Sequence, residues 1–220
     1  MKELALIPAR KGSKRLNNKN LLKINGKTLV EITIDLVTKR FDNTWFNSDS
    51  EEYLRKFHHK NIHLYKRPFE LGLDKVSTEM VVLEWINNNK FENDDLVFLF
   101  QPTSVFRNLK FLDAFISDAR KLKKGESLIS VSQINKISKL NNNCLESVSY
   151  NFGDRSQDIL NVNFVKENGL GYAFHVATIK ETGLFGKCSK PFFSDDFCLD
   201  LDIDTEKDYL ITKSIIENGI

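Results

Sequence analysis

Short, almost entirely apolar runs alternate with amphipathic segments between residues 4 and 131, and this alternation restricts the possible folds more than any other feature. The apolar runs predict strands at residues 4–7, 44–47, 62–65, 96–100 and 128–131. Between them, apolar residues recur at helical spacing and predict helices at residues 29–39, 51–58, 78–88 and 109–122. Strands that are apolar on both faces are typical of a parallel sheet covered by helices on both sides. The sequence therefore predicts an α/β fold of three layers with a mainly parallel sheet.

The loop after the first predicted strand is strongly basic. Pro8 ends the strand, and the next twelve residues contain one glycine and five basic side chains, Arg10, Lys11, Lys14, Arg15 and Lys19. Ligands of parallel sheets bind beyond the carboxyl ends of the strands, and freed backbone amides with basic side chains neutralise phosphate charge. We therefore expect a triphosphate site, although the P-loop pattern Gly-x4-Gly-Lys-Ser/Thr is absent. A solvated basic loop is the alternative.

The positive charge is local. Residues 1–27 carry eight Lys or Arg and one acid, whereas the whole chain has a net charge of only +2. Such asymmetry favours a small anionic ligand over a nucleic-acid groove, and no aromatic residues are interleaved with the basic ones, which disfavours an RNA-binding protein. A second polar segment, Gln101-Pro-Thr-Ser104, follows the fourth predicted strand and is expected at the same edge of the sheet.

Three aspartates alternate with apolar residues near the end of the chain. Asp200, Asp202 and Asp204 would share one face of a strand, where like charges repel unless a cation joins them. Mg²⁺ is the expected cation because it prefers oxygen and often takes one or two carboxylates together with substrate phosphates. Asp202 and Asp204 are the stronger candidates. The alternative is a solvated edge strand followed by a helix capped by Thr205, and the two interpretations are compatible.

Four segments resemble the CMP-sugar synthetases in the order of that family, over residues 3 to about 218. These cytidylyltransferases activate sialic, legionaminic and pseudaminic acids and, more distantly, KDO. The similar segments are Ile7-Pro-Ala-Arg-Lys-Gly-Ser-Lys-Arg15 with Lys19-Asn20, Phe100-Gln-Pro-Thr-Ser-Val-Phe-Arg107, Arg155-Ser-Gln-Asp158 with Asn168-Gly169, and Asp202-Ile-Asp-Thr-Glu-Lys-Asp208.

The resemblance implies a Rossmann-like nucleotide-diphospho-sugar transferase fold and transfer of CMP from CTP to a sialic acid-like sugar acid. It implies nucleotide contacts from Pro8, Ala9, Arg10, Ser13, Lys19, Asn20 and Arg67. Sugar-acid contacts are expected from Gln101, Arg155, Gln157 and Tyr172. Catalysis is expected to use Arg10 and Lys19, with Asp202 and Asp204 holding Mg²⁺ or another divalent cation.

The sequence departs from the family pattern at two places. Ser156 replaces the usual second arginine, which leaves the role of Arg155 open, and Leu16-Asn-Asn18 replaces a segment that usually contains proline. Ser48-Asp49 looks like a turn common in these enzymes, but we predict that it caps the following helix. A nucleotidyltransferase for KDO or for another base, or a non-catalytic nucleotide-binding homologue, are the alternative functions.

Residues 134–170 are rich in Asn, Ser and Gly and weakly periodic, which predicts a lid or dimerisation excursion within a single domain spanning residues 1–220. The α/β pattern resumes with a strand near residues 171–177 and a helix at 209–217. Three cysteines without metal spacing, no long apolar run and no leader pattern indicate a cytoplasmic protein without a membrane or nucleic-acid partner. A homodimer is expected.

Overall fold

The computed structural model describes residues 1–134, 136–142, 144–149, 151, 153–155, 164–194 and 201–219. Its strands are β1 (Glu3–Pro8), β2 (Lys23–Ile24), β3 (Lys27–Thr28), β4 (Thr44–Ser48), β5 (His63–Lys66), β6 (Leu96–Leu99), β7 (Glu126–Gln133), β8 (Ser138–Asn141), β9 (Cys144–Ser147), β10 (Val165–His175) and β11 (Cys188–Phe193). Its helices are α1 (Leu29–Val37), α2 (Glu51–Phe57), α3 (Thr78–Asn87), α4 (Leu109–Ala119), α5 (Val176–Thr182) and α6 (Glu206–Asn218), with 3-10 turns at Lys19–Leu21 and Phe69–Gly72. Within these ranges, no helix is long and apolar enough to cross a membrane.

Seven strands form the central sheet, in the order β11-β7-β10-β6-β1-β4-β5. The neighbours β5, β4, β1 and β6 run parallel to one another. β10 runs antiparallel to β6 and β7 on either side of it, and β11 returns parallel to β7. The predicted mainly parallel sheet is therefore confirmed. β10, between β7 and β6, is its antiparallel strand.

The two faces of β1 belong to two different apolar cores. Ala5 and Ile7 pack in the core that contains α1, α2 and α4, whereas Leu4 and Leu6 pack in the core that contains α3 and α5. All four side chains are at most 1% exposed. Full burial of a large aliphatic side chain contributes about 1.5–3 kcal/mol, so both faces of the sheet must be covered. The predicted three-layer arrangement is confirmed.

Several elements lie where periodicity gave no prediction. Two small hairpins, β2–β3 and β8–β9, form separate two-stranded sheets, and β11 forms an edge of the main sheet. The strand predicted near residues 171–177 is the second half of β10, and it ends at His175 because the chain turns there into α5. β10 also contains an irregularity between Glu167 and Tyr172, where Gly169 adopts a φ of 73°.

The prediction that Asp202 and Asp204 lie on one face of a strand is wrong, and Asp200 lies outside the described residues. The segment from 201 to 204 is irregular and pairs with no strand of the described sheet. Ile203 instead packs against Ile24, Leu29 and Val105 in a third apolar cluster. Its backbone N–H donates to the Thr103 carbonyl at 3.2 Å. The alternation of acidic and apolar residues therefore reflects one buried anchor with an aspartate on each side.

Helix capping agrees with the sequence at one site and differs at another. Thr205 caps α6 as predicted, in a reciprocal capping box in which the Asp208 carboxylate accepts from the Thr205 N–H at 2.7 Å. The cap of α2 is Ser50, whose hydroxyl accepts from the Tyr53 N–H at 3.3 Å. The prediction that Ser48-Asp49 provides this cap is therefore wrong by one residue.

Candidate active site

A cavity of about 320 Å³ opens where the carboxyl ends of β1, β5 and β6 meet, as expected for a sheet of this kind. It brings together residues that are up to about 200 positions apart in the sequence. Eight of the predicted site residues line it: Pro8, Arg10, Lys19, Asn20, Arg67, Gln101, Asp202 and Asp204. The wall is completed by Arg15, Leu71, Leu73, Asp74, Val76, Thr78, Val81, Pro102 and Thr103.

Arg10 and Lys14 of the basic loop converge on one carboxylate. An Arg10 guanidinium nitrogen lies 2.5 Å from Asp74 Oδ1, and Lys14 Nζ lies 2.7 Å from Asp74 Oδ2. The two cations hold the pKa of the Asp74 carboxyl below its usual range, Lys14 more strongly than Arg10. Ser13 lies beside them and lines a neighbouring cavity of about 320 Å³. The loop therefore presents a concentrated positive surface to the space above β1.

Asp204 links the far end of this loop to the segment before α6. Its Oδ1 accepts from Lys19 Nζ at 2.9 Å, and its Oδ2 pairs with Arg15 at 2.9 Å. Asn20, buried next to Lys19, donates from Nδ2 to the Arg10 carbonyl at 3.0 Å and so ties the loop back onto its own start. These bonds fix the two ends of the loop relative to the Asp204 carboxylate.

Asp202 lies deeper on the same wall. Its Oδ1 accepts a hydrogen bond from the Ser104 hydroxyl at 2.9 Å. The Arg107 side chain is buried, which lowers the pKa of its guanidinium, while the charge of the Asp202 carboxylate acts in the opposite direction. Asp202 is therefore held by one neutral hydrogen bond and faces one buried positive charge.

The donor set fits a magnesium ion bound together with phosphates. Among the described residues, no group of three or more His, Cys, Asp or Glu side chains is arranged to hold a metal ion by itself. Asp202 and Asp204 nevertheless line one cavity together with Arg10 and Lys19. Magnesium typically takes one or two protein carboxylates and completes its six ligands with phosphate oxygens and water. The two aspartates therefore suit an ion that arrives with a polyphosphate.

Arg67 forms a buried part of the cavity wall. Its side chain is only 3% exposed, donates to Asn47 Oδ1 at 3.3 Å and lies 3.5 Å from the Asp49 carboxylate. Burial lowers its pKa. Two further donors beside this contact, Arg67 Nε and Asn47 Nδ2, are buried without a hydrogen-bond partner. Buried donors without partners are costly, and of these two residues Arg67 lines the cavity.

Gln101 also lines a second cavity of about 330 Å³, in which Tyr172 takes part. Tyr172 is paired with Leu99 across β10 and β6, so it lies beside the start of the Gln101 turn. Its hydroxyl donates to Glu167 Oε2 at 3.1 Å, and burial together with this carboxylate raises the pKa of the phenol. The two cavities share Gln101 and Thr78, and the remaining residues of the second are Ser77, Glu79, Leu184 and Phe185.

Of the three remaining predicted site residues, the structure describes two, and neither lines these cavities. Ala9 is buried, and its backbone N–H donates to the Asn47 carbonyl at 2.9 Å. Arg155 is exposed and is absent from the lining of both cavities described above. Gln157 falls outside the described residues, as do Ser156 and Asp158.

Comparison with known proteins identifies the family to which the chain belongs. The family model for cytidylyltransferases matches residues 4–158, which is more than half of the chain. The chain belongs to the cytidylyltransferase family. It is 29% identical to an N-acylneuraminate cytidylyltransferase of Escherichia coli over 97% of this chain and 52% of that protein. It is 32% identical to an N-acylneuraminate cytidylyltransferase of Streptococcus agalactiae over 49% of this chain and 26% of that protein. The chain thus spans about half the length of the curated relatives it matches.

Solved structures support the fold. A CMP:2-keto-3-deoxy-manno-octonic acid synthetase complexed with CTP superposes with a TM-score of 0.69 at 13% identity, covering 100% of both chains. A 4-diphosphocytidyl-2C-methyl-D-erythritol synthase gives 0.66 at 11% identity, covering 96% of this chain and 97% of the other. At these identities the likeness concerns the fold alone, and it confirms the predicted Rossmann-like nucleotidyltransferase architecture.

In this member of the cytidylyltransferase family, the sequence did not single out three residues that shape the site. Asp74 pairs with Arg10, but it lies 64 positions away in a segment without a recognisable pattern. Ser104 and Arg107 belong to a segment that did stand out, yet no role was predicted for either. Their signal was their place in the segment after β6, next to the edge of the sheet at which ligands of parallel sheets bind.

Proposed function

We propose that this chain transfers CMP from CTP to the anomeric hydroxyl of a nine-carbon 2-keto sugar acid, releasing pyrophosphate. The observation that carries the proposal is the convergence, in one cavity, of the cations Arg10 and Lys19 with the carboxylates Asp202 and Asp204. A relative that matches 97% of this chain and another that matches 49% of it, both named N-acylneuraminate cytidylyltransferase, support the choice of nucleotide and of sugar acid. In this reaction the anomeric oxygen bonds to the α-phosphorus as the bond between the α- and β-phosphates breaks.

The basic loop is proposed to bind the triphosphate. Arg10 and Lys19, with the Ser13 hydroxyl nearby, would neutralise the β- and γ-phosphates and stabilise the charge that builds up on departing pyrophosphate. Asn20 and the backbone next to Pro8 and Ala9 are proposed to contact the ribose and the cytosine. Because the present partners of Arg10 and Lys19 are carboxylates, both cations are already oriented towards oxyanions.

The two aspartates are proposed to hold Mg²⁺ or another divalent cation. When bound, such an ion neutralises phosphate charge and lowers the pKa of a coordinated hydroxyl. Asp202 and Asp204 would lie on the side of the cavity that receives the α-phosphate. One of their carboxylates would accept the proton of the attacking hydroxyl. Arg67, whose buried Nε lacks a partner, is proposed to contribute to nucleotide binding from the wall of the same cavity.

The sugar acid is proposed to lie over the second cavity. Gln101 would donate and accept hydrogen bonds through its amide, and Tyr172 would form the floor, since both line this space. Arg155 and Gln157 are proposed to bind the sugar carboxylate, Arg155 through its charged guanidinium. The shared lining of the two cavities would place the anomeric hydroxyl next to the α-phosphate, and such positioning supplies much of the rate in group transfer.

We also propose that residues 1–220 act as one catalytic unit in a cytoplasmic homodimer, with a lid or dimer contact in the predicted excursion of residues 134–170. Only the part before β10 can serve in this way, because residues 165–170 form the first half of that strand in the central sheet. The hairpin β8–β9 forms a sheet of its own and exposes Leu140, which is 70% exposed. Cys144 and Cys188 are free thiols, which agrees with a reducing compartment. Sedimentation analysis of the chain, beside a Leu140→Ser variant, tests the dimer and the role of this hairpin.

The test of the reaction is pyrophosphate release with CTP, ATP, GTP and UTP, each against a panel of eight- and nine-carbon 2-keto sugar acids. The proposal expects release with CTP and a nine-carbon acid, and little with the other nucleotides. Equal release from UTP, or a preference for the eight-carbon acid, would assign the chain to another nucleotidyltransferase branch. An Arg55→Ala variant is a suitable control, since Arg55 is exposed and pairs with Glu51 on the surface.

A further inference from the structure

Ser104 is a fully buried hydroxyl placed against a proposed metal ligand. Its side chain is 0% exposed, and its Oγ lies 2.9 Å from Asp202 Oδ1 and 3.2 Å from the Gly169 carbonyl. A serine hydroxyl carries one proton, and the shorter contact, which is to a charged acceptor, is the stronger one. The proton is therefore donated to Asp202.

Backbone and side-chain bonds fix the turn that carries this hydroxyl. The Ser104 N–H points to the Gln101 carbonyl at 3.4 Å, and the neighbouring Thr103 carbonyl accepts from the Ile203 N–H at 3.2 Å. The buried Arg107 guanidinium donates to the Leu170 carbonyl at 2.8 Å and also to the Gln101 carbonyl. The turn is thereby tied to β10 on one side and to the segment of Asp202 on the other.

The absence of a side chain at Gly169 leaves space for the contact between Ser104 and Asp202. A Cβ at this position would lie 3.2 Å from Ser104 Oγ and 4.0 Å from the Asp202 carboxylate, and the φ of 73° already disfavours any other residue. Glycine at this irregularity of β10 therefore lets the strand approach the Ser104–Asp202 pair closely.

We propose that Ser104 is a positioning residue: by donating to Oδ1 it fixes the orientation of the Asp202 carboxylate and so presents Oδ2 to the divalent cation. This inference rests on the proposed function. Hydrogen bonds to a metal-ligating carboxylate hold it in the coordinating orientation, and removal of such partners typically lowers metal affinity or activity by about 10–100-fold. Ser104 touches neither nucleotide nor sugar in this scheme and acts through Asp202.

The test compares Ser104→Ala with Ser130→Ala and Asp202→Asn. Ser130 is a matched control because it is also buried, at 1% exposed, and does not line the active-site cavity. Its hydroxyl accepts from the N–H of Gly171 at 2.8 Å, and Gly171 lies two residues after Gly169 in β10. Binding of Mn²⁺ to each protein in the presence of CTP, without sugar acid, is followed by electron paramagnetic resonance. The Mg²⁺ concentration that gives half-maximal turnover is measured in parallel.

Ser104→Ala is expected to weaken Mn²⁺ binding by about tenfold or more and to raise the half-maximal Mg²⁺ concentration correspondingly. Ser130→Ala is expected to change thermal stability to a similar degree and Mn²⁺ binding not at all. Ser104→Thr, which keeps a hydroxyl, is expected to restore Mn²⁺ binding towards the wild-type value.

Equal Mn²⁺ affinities of Ser104→Ala and Ser130→Ala would overturn the inference while leaving the proposed function intact, provided that Asp202→Asn still weakens binding. If Asp202→Asn leaves Mn²⁺ binding unchanged, the metal assignment of the proposed function fails, and the role of Ser104 fails with it. The two failures are thus distinguishable in one set of titrations.

Discussion

Arg10 donates to the Asp74 carboxylate across 2.5 Å, from the loop after β1 to the loop between β5 and α3. The same carboxylate pairs with Lys14, so Asp74 forms ion pairs with two cations of the proposed triphosphate site. Arg10 also reaches the Gly72 carbonyl at 3.4 Å. A triphosphate that binds Arg10 and Lys14 must therefore displace Asp74 from them or share them with it.

Asp74→Asn is accordingly expected to increase the affinity for CTP. The substitution removes a competing negative charge but keeps the size of the side chain. An exposed ion pair contributes up to about 1 kcal/mol, so the two pairs together limit the gain to about 2 kcal/mol, or roughly thirtyfold in affinity. Isothermal titration with CTP at low salt measures it, and the gain should shrink at high salt because exposed charges are then screened.

Glu52→Gln is the matched control for this effect. Glu52 pairs with Lys11 of the same basic loop at 2.7 Å, but it lies outside the lining of the main cavity. Its replacement should leave CTP affinity nearly unchanged apart from the general gain of one positive charge. Weaker CTP binding by Asp74→Asn would show that Asp74 organises the loop for the nucleotide instead of competing with it.

The difference between Ile7 and Ile203 shows which parts of the fold a local sequence pattern can predict. Ile7 belongs to a continuous apolar run, and burial of both strand faces follows from that run alone, so β1 and its neighbours could be predicted. Ile203 lies between two aspartates, which is the alternation of polar and apolar residues found in a half-buried strand. Its burial nevertheless depends on Ile24, Leu29 and Val105, which are distant in sequence. Pattern alone cannot separate a strand from an irregular segment with one anchor.

Edge elements were missed for a related reason. β11 contains Pro191 and is mostly exposed, so it has neither an apolar run nor strict alternation. The β2–β3 hairpin did carry a local signal: Asn25 and Gly26 both have positive φ, as the tight turn between paired strands requires. Within the site, eight predicted residues meet in one cavity, whereas the role of Asp74 depends on a contact between two loops that no local pattern encodes.

Ile203→Ala tests whether a single anchor holds the two aspartates in place. Ile203 is 0% exposed, and truncation of a buried isoleucine to alanine typically costs about 2–5 kcal/mol of unfolding free energy. Chemical denaturation should show this loss, and turnover should fall as well at temperatures where the variant remains folded. Leu210→Ala, at a position 57% exposed, should change stability by less than about 0.5 kcal/mol. A small effect of Ile203→Ala on both stability and turnover would contradict the anchor.

Asp202→Asn and Asp204→Asn test the proposed metal pair. Each substitution keeps the size of the side chain and removes its charge, so turnover at saturating Mg²⁺ should collapse while circular dichroism stays that of the wild type. Asp204→Asn also releases the side chains of Lys19 and Arg15, each of which lies 2.9 Å from this carboxylate. CTP binding without metal should therefore strengthen in Asp204→Asn and not in Asp202→Asn. Near-normal turnover of both variants would contradict the metal assignment.

The last prediction separates the triphosphate side of the cavity from the sugar side. Arg10→Ala should weaken CTP binding even without sugar acid, since loss of a charged hydrogen bond costs about 1.5–3 kcal/mol, or roughly ten- to more than a hundredfold in affinity. Gln101→Ala should leave CTP affinity alone and raise the KM for the sugar acid, because Gln101 lies where the two cavities join. Calorimetry with CTP and initial rates over a range of sugar-acid concentrations give both values for each variant. If Gln101→Ala weakens CTP binding and leaves the KM for the sugar acid unchanged, the second cavity belongs to the nucleotide, and the sugar acid must enter from another side.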